Sequence, residues 1–146
     1  MAEDQALLSR PEHVDYKLIF DAMPGMCLIL DTAFRIVAQN ADHAKATLST
    51  NKNVVGKALW EVFPDNPDDS YESGVSAVRQ SLVNAMKTRK PDMMPIIRYD
   101  VQPPGGGFEE RYWAITNTPV FGEDGFVHWI INRAEDVTEL IQLRRK

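Results

Sequence analysis

Cysteine is almost absent from this chain, with Cys27 alone among 146 residues. A single cysteine excludes an internal disulfide, so packing must stabilise the fold, and it is compatible with a reducing compartment. No apolar run approaches the roughly 20 residues of a membrane span. The acidic start, residues 1–5, is unlike a secretion signal. These absences together predict a cytoplasmic location.

Clustered positive charge is also missing. The net charge is −5 at pH 7, and no basic run is longer than the three residues 144–146. Nucleic-acid binding requires a concentrated positive surface, so no nucleic-acid partner is expected. Hydrophobic residues make up 44% and charged residues 25%, a balance typical of globular proteins. A chain of this length favours one domain with a core large enough to be stable without a covalent link.

Motifs of metal sites and enzymes are missing as well. The three histidines fall on different predicted elements. The aspartates of residues 65–69 are interrupted by prolines and lack the glycine turn of a calcium loop, so no metal is predicted. Asp68 or Asp69 is instead expected to cap the long helix that follows. The glycines 105–107 lack the lysine of a phosphate loop, and no serine has a nucleophile motif, so this domain is not predicted to be an enzyme.

The hydrophobic pattern predicts two strands, several short helices, one long helix and three further strands. In the long helix, Val78 and Leu82 lie on one apolar face. Asn40 can cap the helix after the first two strands, and Asp-Gly at 124–125 indicates a hairpin. Mostly antiparallel strands with helices on one side define an α+β fold. The predicted strands cover residues 26–30, 35–39, 95–101, 110–121 and 126–133; the predicted helices cover 12–22, 41–48 and 71–89, with single turns at 54–57 and 58–63.

Three stretches carry a resemblance to a known family: LILDTAFRIVAQN at 28–40, VVGKALWEVFPD at 54–65, and RYWAITNTPVFGEDGFVHWIINRAEDVTEL at 111–140. In this order they resemble the opening hairpin, the middle turns and the final hairpin of PAS domains, the sensory modules of many bacterial signalling proteins. The resemblance covers residues 16–139. It implies a five-stranded antiparallel sheet with short helices and one long helix on one face, and it assigns residues 23–138 to a PAS sensor domain.

The resemblance also implies a role for the end of the chain. In PAS proteins the last strand leaves through Asp-x-Thr into a helix that connects to an output domain such as a histidine kinase. Asp136 and Thr138 match that pattern. Glu139 gives Asp136 the spacing of a capping box, and Arg133 is the predicted partner of the Asp136 carboxylate. Residues 139–146 are therefore interpreted as the start of a linker helix, with an ordinary capped terminal helix as the alternative.

Two asparagines fall on strand faces that the resemblance directs towards an interior pocket. Asn117 follows Trp113 and Ile115 on one face, and Asn132 shares a face with Ile130. A buried amide without a partner costs roughly 1–3 kcal/mol. Either these amides bond each other, the backbone or water, or they bind a small-molecule ligand, and both alternatives stay open. The predicted ligand-binding residues are Asn117, Asn132, Tyr99, Trp113, Ile115, Ile130, Trp60 and Phe63.

Haem and flavin are disfavoured as cofactors, and the ligand remains unidentified. Haem-binding PAS domains often place a histidine on or beside the long helix, and residues 71–89 contain none. Flavin-binding light sensors place a reactive cysteine in a helix after the first hairpin, whereas Cys27 falls in the first strand.

The chain ends are predicted to be the assembly elements. Residues 1–11 are expected to be disordered, and residues 12–22 to form an amphipathic helix. Its apolar stripe and two leucines near the far end are expected to form a homodimer interface; the residues are Val14, Leu18, Ala22, Leu140 and Leu143.

The whole pattern predicts a cytoplasmic PAS module that senses a small molecule, dimerises and signals to a fused or partner output domain. Two alternatives remain. A ligand-free interaction module would have a fully packed interior. A cone-shaped α+β enzyme of the ketosteroid-isomerase type would need a carboxylate in the pocket, and the predicted inward strand faces carry none.

Overall fold

The computed structural model describes residues 13–68 and 73–145, so the predicted disorder of residues 1–11 lies outside it. Within these residues the chain forms an antiparallel sheet and a set of mostly short helices. Their bounds are α1 Tyr16–Ala22, β1 Met26–Asp31, β2 Ile36–Gln39, α2 Ala41–Ala46, α3 Asn51–Val54, α4 Leu59–Val62, α5 Gly74–Thr88, β3 Asp92–Met93, β4 Ile97–Arg98, β5 Tyr112–Phe121, β6 Val127–Asp136 and α6 Thr138–Arg144.

The sheet has the order β2-β1-β6-β5-β3, with β4 also paired to β5. The α+β prediction is confirmed, and the predicted strand count of five is corrected to six described strands. The difference arises at one edge, where β3 and β4 both pair antiparallel with β5, at Asn117 and Trp113 respectively. Pro95 lies in the interruption between them and has no N–H to donate to a ladder.

Two hairpins, β1–β2 and β5–β6, join neighbouring strands of the sheet. The turn after β1 is held by the Asp31 carboxylate, which accepts the N–H groups of Ala33 and Arg35 at 2.9 Å each. The turn after β5 has Gly125 at φ 81°. In the long β5–β6 ladder, Asn117 lies opposite Asn132, which places the two amides side by side on the buried face.

The long helix α5 begins later than predicted and has a different cap. Its N-cap is Ser73, whose side chain accepts the N–H of Ser76, so the predicted cap Asp68 is wrong. The other predicted cap, Asp69, lies outside the described residues. The start is fixed by packing, because a Cβ on Gly74 would lie 2.7 Å from the Tyr99 ring.

The core lies between the inner sheet face and the helices. It contains fully buried residues from β1, β2, α5 and β6: Leu28, Leu30, Ile36, Leu82 and Ile130. The helix predicted over 12–22 begins at Tyr16, after its cap Asp15, and none of its residues is buried. No helix among the described residues is long and apolar enough to cross a membrane.

Candidate functional site

A cavity of about 70 Å³ opens between the inner face of the sheet and the helices. Its wall is mostly apolar and includes Met26, Leu28, Leu59, Val78, Val101 and Ala134. Of the eight residues predicted to bind a ligand, the structure places Phe63, Tyr99, Trp113, Ile115 and Asn132 on this wall and Trp60, Asn117 and Ile130 away from it. The prediction omitted three polar wall residues: His43, Thr47 and Asp100.

The two asparagines belong to a hydrogen-bonded chain, here called the asparagine relay, of Asn132, Asn117, Ser81 and Asp92. Asn132 Nδ2 donates to Asn117 Oδ1 at 2.7 Å, and Asn117 Nδ2 donates to Ser81 Oγ at 2.9 Å. Ser81 Oγ in turn donates to Asp92 Oδ2 at 2.6 Å. Because Ser81 gives its one proton to Asp92, Ser81 accepts from Asn117, and Asn117 in turn accepts from Asn132.

The direction of the relay leaves one polar atom for the cavity. Asn117 is fully buried and uses both ends of its amide. Asn132 lines the cavity, and its Oδ1 has no hydrogen-bond partner among the described residues. The two amides therefore bond each other, as one open alternative required, and the Asn132 carbonyl remains available to a guest.

His43 reaches the cavity from α2 because of the cap that starts this helix. Asn40 Oδ1 accepts the N–H of His43 at 3.0 Å and also the N–H of Cys27 at 3.0 Å, tying the helix start to β1. The His43 ring is buried, with Nδ1 2.8 Å from Gln39 Oε1. Burial lowers the pKa of His43 to about 4, so the imidazole is neutral at physiological pH.

The spacing around Asn40 is the signal that could have located His43 and Thr47. A capped helix places its third residue, and the residue four further on, on one face. Residues 41–48 are rich in alanine, however, so they carry no apolar stripe that says which face is buried. Only the packing of α2 against β1 decides that His43 points inward.

Asp100 corrects the expectation that no carboxylate faces the interior. Its side chain is 1% exposed, and it lines the cavity. Burial alone would raise the pKa of Asp100, but hydrogen bonds from Arg98, Asn66 and the Arg111 N–H bring it below its usual range. Arg98 binds both carboxylate oxygens, at 3.0 and 3.1 Å. Asp100 is thus a paired, ionised group that organises the loop around it.

Two of the predicted aromatic residues, Tyr99 and Trp113, use their polar atoms in hydrogen bonds to backbone carbonyls. The Tyr99 hydroxyl donates to the Phe63 carbonyl, and Trp113 Nε1 donates to the Tyr99 carbonyl at 2.6 Å. Burial, with a smaller effect of Asp65, raises the pKa of Tyr99. Trp60 instead packs edge-on against the Phe34 ring, with centroids 5.5 Å apart. Tyr99 could therefore donate to a ligand only by giving up its bond to Phe63, although its hydroxyl oxygen can still accept.

The end of β6 forms a second cluster, here called the exit junction, of Tyr112, Asp136 and Thr138. Asp136 Oδ1 accepts both the N–H of Thr138, at 2.9 Å, and its hydroxyl, at 2.5 Å. Thr138 Oγ1 accepts the N–H of Tyr112 at 2.9 Å. The junction therefore ties the start of β5, the end of β6 and the first residue of α6 together.

Two details of the predicted junction are wrong. The partner of the Asp136 carboxylate is Arg111, at 3.5 Å, and not Arg133. Residues three apart on a strand point to opposite faces, so Arg133 cannot share the side of Asp136. The N-cap of α6 is Val137, with no side-chain cap and no bond from Glu139, so the capping box is absent.

Comparison with known proteins identifies the family. A family model described as the PAS fold matches residues 20–142. The chain therefore belongs to the PAS-fold family, and its antiparallel sheet with helices over one face is the fold of that family. No curated protein is significantly similar to the chain.

Solved structures of three proteins resemble most of the fold. A PAS domain from Colwellia psychrerythraea is 12% identical with a TM-score of 0.62, covering 84% of this chain and 93% of that chain. A sensory box sensor histidine kinase from Vibrio cholerae is 19% identical with a TM-score of 0.57, covering 94% of both chains. A LOV protein from Rhodobacter sphaeroides is 15% identical with a TM-score of 0.63, covering 84% of this chain and 65% of that chain. At these identities the likeness shows a shared fold alone.

Proposed function

We propose that this chain is a cytoplasmic PAS sensory module that binds a small molecule in its interior cavity. In this proposal the bound state passes through α6 to a fused or partner output domain, such as a histidine kinase. The observation that carries the proposal is the Asn132 carbonyl, which lines the cavity without a partner among the described residues. Asn132 is 6% exposed, and its Oδ1 is not fully enclosed, so this carbonyl is open to a hydrogen bond from a molecule in the cavity.

The make-up of the wall supports a specific site. Specific small-molecule sites combine an apolar lining with a few fixed polar groups. Here the asparagine relay fixes Asn132, and α2 fixes His43. Both side chains are pre-organised by partners behind them, so a ligand would not have to order them on binding.

A path from the cavity to the exit follows one strand. Asn132 lies four residues before Asp136 on β6, and Asp136 is bonded to the first residue of α6. A ligand that binds Asn132 more tightly in one strand position than in another would shift the equilibrium of that junction. The Vibrio cholerae structure is itself a sensor histidine kinase, which supports an output of this class.

Self-association through the terminal helices is part of the proposal. The residues predicted for the interface are all exposed: Val14 by 55%, Leu18 by 67%, Leu140 by 48% and Leu143 by 58%, together with Ala22. Neither α1 nor α6 buries any residue. A homodimer would remove these apolar surfaces from water.

Native mass spectrometry of the protein purified from cells tests the ligand and the dimer together. We expect a homodimer that carries an added small mass, and loss of that mass in Asn132→Leu. Thr118→Ala, a change beside Asn117 on the outer face of β5, is the matched control and should keep the mass. A protein that carries no added mass, even after incubation with a metabolite extract of the same cells, contradicts the sensing proposal.

The alternatives receive less support from the geometry. A fully packed interior would favour a ligand-free interaction module, whereas this interior contains a cavity. An enzyme with a carboxylate base would require a group with a raised pKa. Asp100 is the carboxylate on the cavity wall, and its pKa is lowered.

A further inference from the structure

Beside the cavity, the hydroxyl groups of Thr47 and Ser49 make three short contacts but have only two protons to donate. Thr47 Oγ1 donates to the His43 carbonyl at 2.7 Å and lies 2.8 Å from Ser49 Oγ. Since the Thr47 proton is already used, Ser49 must supply the proton between the two hydroxyls. Ser49 Oγ then faces the Gln39 side chain at 3.3 Å with no proton left to donate. A hydrogen bond at this contact therefore requires the Gln39 atom to be the donor.

The amide of Gln39 can meet this requirement by turning over. The nitrogen and oxygen ends of an amide have nearly the same shape, so the hydrogen-bond network decides between them. With the oxygen facing Ser49, Gln39 Nε2 is buried and has no partner among the described residues. With the nitrogen there, both of its protons find acceptors, at Ser49 Oγ and at His43 Nδ1. The buried atom without a partner then becomes a carbonyl, which proteins tolerate better than an N–H.

This orientation assigns the tautomer of His43. The same Gln39 atom lies 2.8 Å from His43 Nδ1, so a donating nitrogen makes Nδ1 an acceptor. A neutral imidazole that accepts at Nδ1 carries its proton on Nε2. Among the described residues Nε2 has no partner, and His43 lines the cavity. The cavity is therefore supplied with one donor, His43 Nε2–H, and one acceptor, Asn132 Oδ1.

We propose that the cavity selects a small neutral molecule with an amide-like group, whose carbonyl accepts from His43 Nε2–H and whose N–H donates to Asn132 Oδ1. This inference rests on the proposed ligand-sensing function and names its ligand class. The two residues are only 4% and 6% exposed, yet neither free atom is fully enclosed, so a molecule in the cavity that both residues line can reach them. Each is held from behind, His43 by Gln39 and Asn132 by Asn117.

The volume of the cavity and the charges on its wall narrow the class of ligand that it can bind. The cavity of about 70 Å³ is under half of the roughly 150 Å³ that accommodates benzene, so a core of about four non-hydrogen atoms fits. Among the described residues that line it there is no lysine or arginine. An anion would lose its hydration without gaining an opposite charge, and the Asp100 carboxylate on the wall would repel it. A cation would find that carboxylate already bound to Arg98 through both oxygens, so a neutral ligand is favoured.

Acetamide, acetone and acetate are planar and equal in size but differ in the hydrogen bonds they can make. Their relative affinities therefore measure what each hydrogen bond contributes to binding. Titration into the ¹⁵N-labelled protein, read at the Trp113 indole and the Asn132 side-chain amide, gives their affinities. We expect acetamide to bind about tenfold more tightly than acetone, because only acetamide donates to Asn132. Acetate should bind at least as weakly as acetone. Asn132→Leu should remove the preference for acetamide, and Thr118→Ala should keep it.

The tautomer has its own measurement, which does not depend on any ligand. Two-bond ¹H–¹⁵N spectra of the histidine rings at pH 7 should show His43 protonated at Nε2 only. Gln39→Glu replaces the amide by a group that accepts and cannot donate, so it should move the proton to Nδ1. A wild-type ring protonated at Nδ1 would overturn the inference even if acetamide binds.

The outcomes separate the inference from the function on which it rests. If acetone and acetamide bind equally in the wild type, the cavity is a ligand site but the proposed ligand class is wrong. Tighter binding of acetate than of acetamide has the same meaning. If none of the three probes shifts a cavity signal at concentrations up to 100-fold above those of the protein, the cavity does not admit ligands, and the sensing proposal fails with it.

Discussion

At the scale of the residue, His43 makes the stability of the domain depend on pH. Its pKa falls from 6.5 to about 4 in the folded state because the ring is buried. Between these values the unfolded state binds more protons than the folded state, so the free energy of unfolding rises with pH. Above pH 6.5 the His43 ring is neutral in both states, and the domain has its full stability. As the pH falls from 6.5 towards 4, the free energy of unfolding decreases because only the unfolded chain takes up a proton on this ring. The shift corresponds to roughly 3 kcal/mol.

Urea unfolding at intervals from pH 4 to pH 7 measures this dependence. We expect the wild type to lose about 3 kcal/mol over that window, and His43→Phe to lose much less because it cannot take up a proton. The lowered pKa of Asp100 places its own loss of stability at lower pH, outside the window. Equal slopes for the two proteins would show that His43 does not titrate as a buried group.

Residues of the cavity differ in how far the sequence could predict them. Asn117 and Asn132 were predictable because strand side chains alternate with a period of two, which puts them on the apolar faces of β5 and β6. His43 was not, because the short helix around it has no apolar stripe. Asp100 was not either, since its burial depends on Arg98 and on Asn66, a residue 34 positions earlier in the chain.

At the scale of the element, β6 and α6 meet at a junction whose detail depends on pairing. Strand β6 runs three residues beyond its predicted end at 133 because Asp136 still pairs with Trp113 of β5. Sequence patterns locate strands by their apolar alternation, and that alternation ends where the exposed residues Glu135 and Asp136 begin. The order and type of the strands and of the long helix were therefore predictable, whereas their ends and caps were set by neighbouring strands.

Asp136 is expected to couple the sheet to the outgoing helix. Asp136→Ala removes both bonds to Thr138 and the contact with Arg111. In the chain fused to its output domain, we expect output to stop responding to ligand while ligand affinity stays within about twofold. The two hydrogen bonds that are lost are exposed, so the loss of stability should be only about 1–2 kcal/mol, and the variant remains folded. Output activity and ligand affinity are both measured by titration.

Glu135→Ala is the matched control for this coupling. It removes an exposed carboxylate from the adjacent position of β6, and its response to ligand should equal that of the wild type. If output still follows ligand in Asp136→Ala, then Asp136 only stabilises the start of α6 and the signal leaves by another route.

At the scale of the whole molecule, two exposed apolar surfaces are candidates for the proposed self-association. One is the set of terminal helices, where Leu18 is 67% and Leu143 is 58% exposed. The other is the outer face of the sheet, where Val37 and Trp129 are each 42% exposed. An antiparallel sheet tolerates one face in water, whereas a short helix with no buried residue is marginal without a partner. The terminal helices are therefore the surface that gains more from association.

Sedimentation velocity at micromolar concentration, with one variant for each surface, decides between them. Leu18→Glu places a charge in the centre of the exposed stripe of α1, so we expect it to convert a dimer to a monomer. Trp129→Glu places the same charge on the outer face of the sheet and should leave the dimer intact. The opposite pattern would move the interface to the sheet, and a wild type that is monomeric at every concentration would remove it altogether. Since α6 begins at the exit junction, a dimer through α1 and α6 would set two of these helices side by side. A change at either junction could then alter how the pair is oriented.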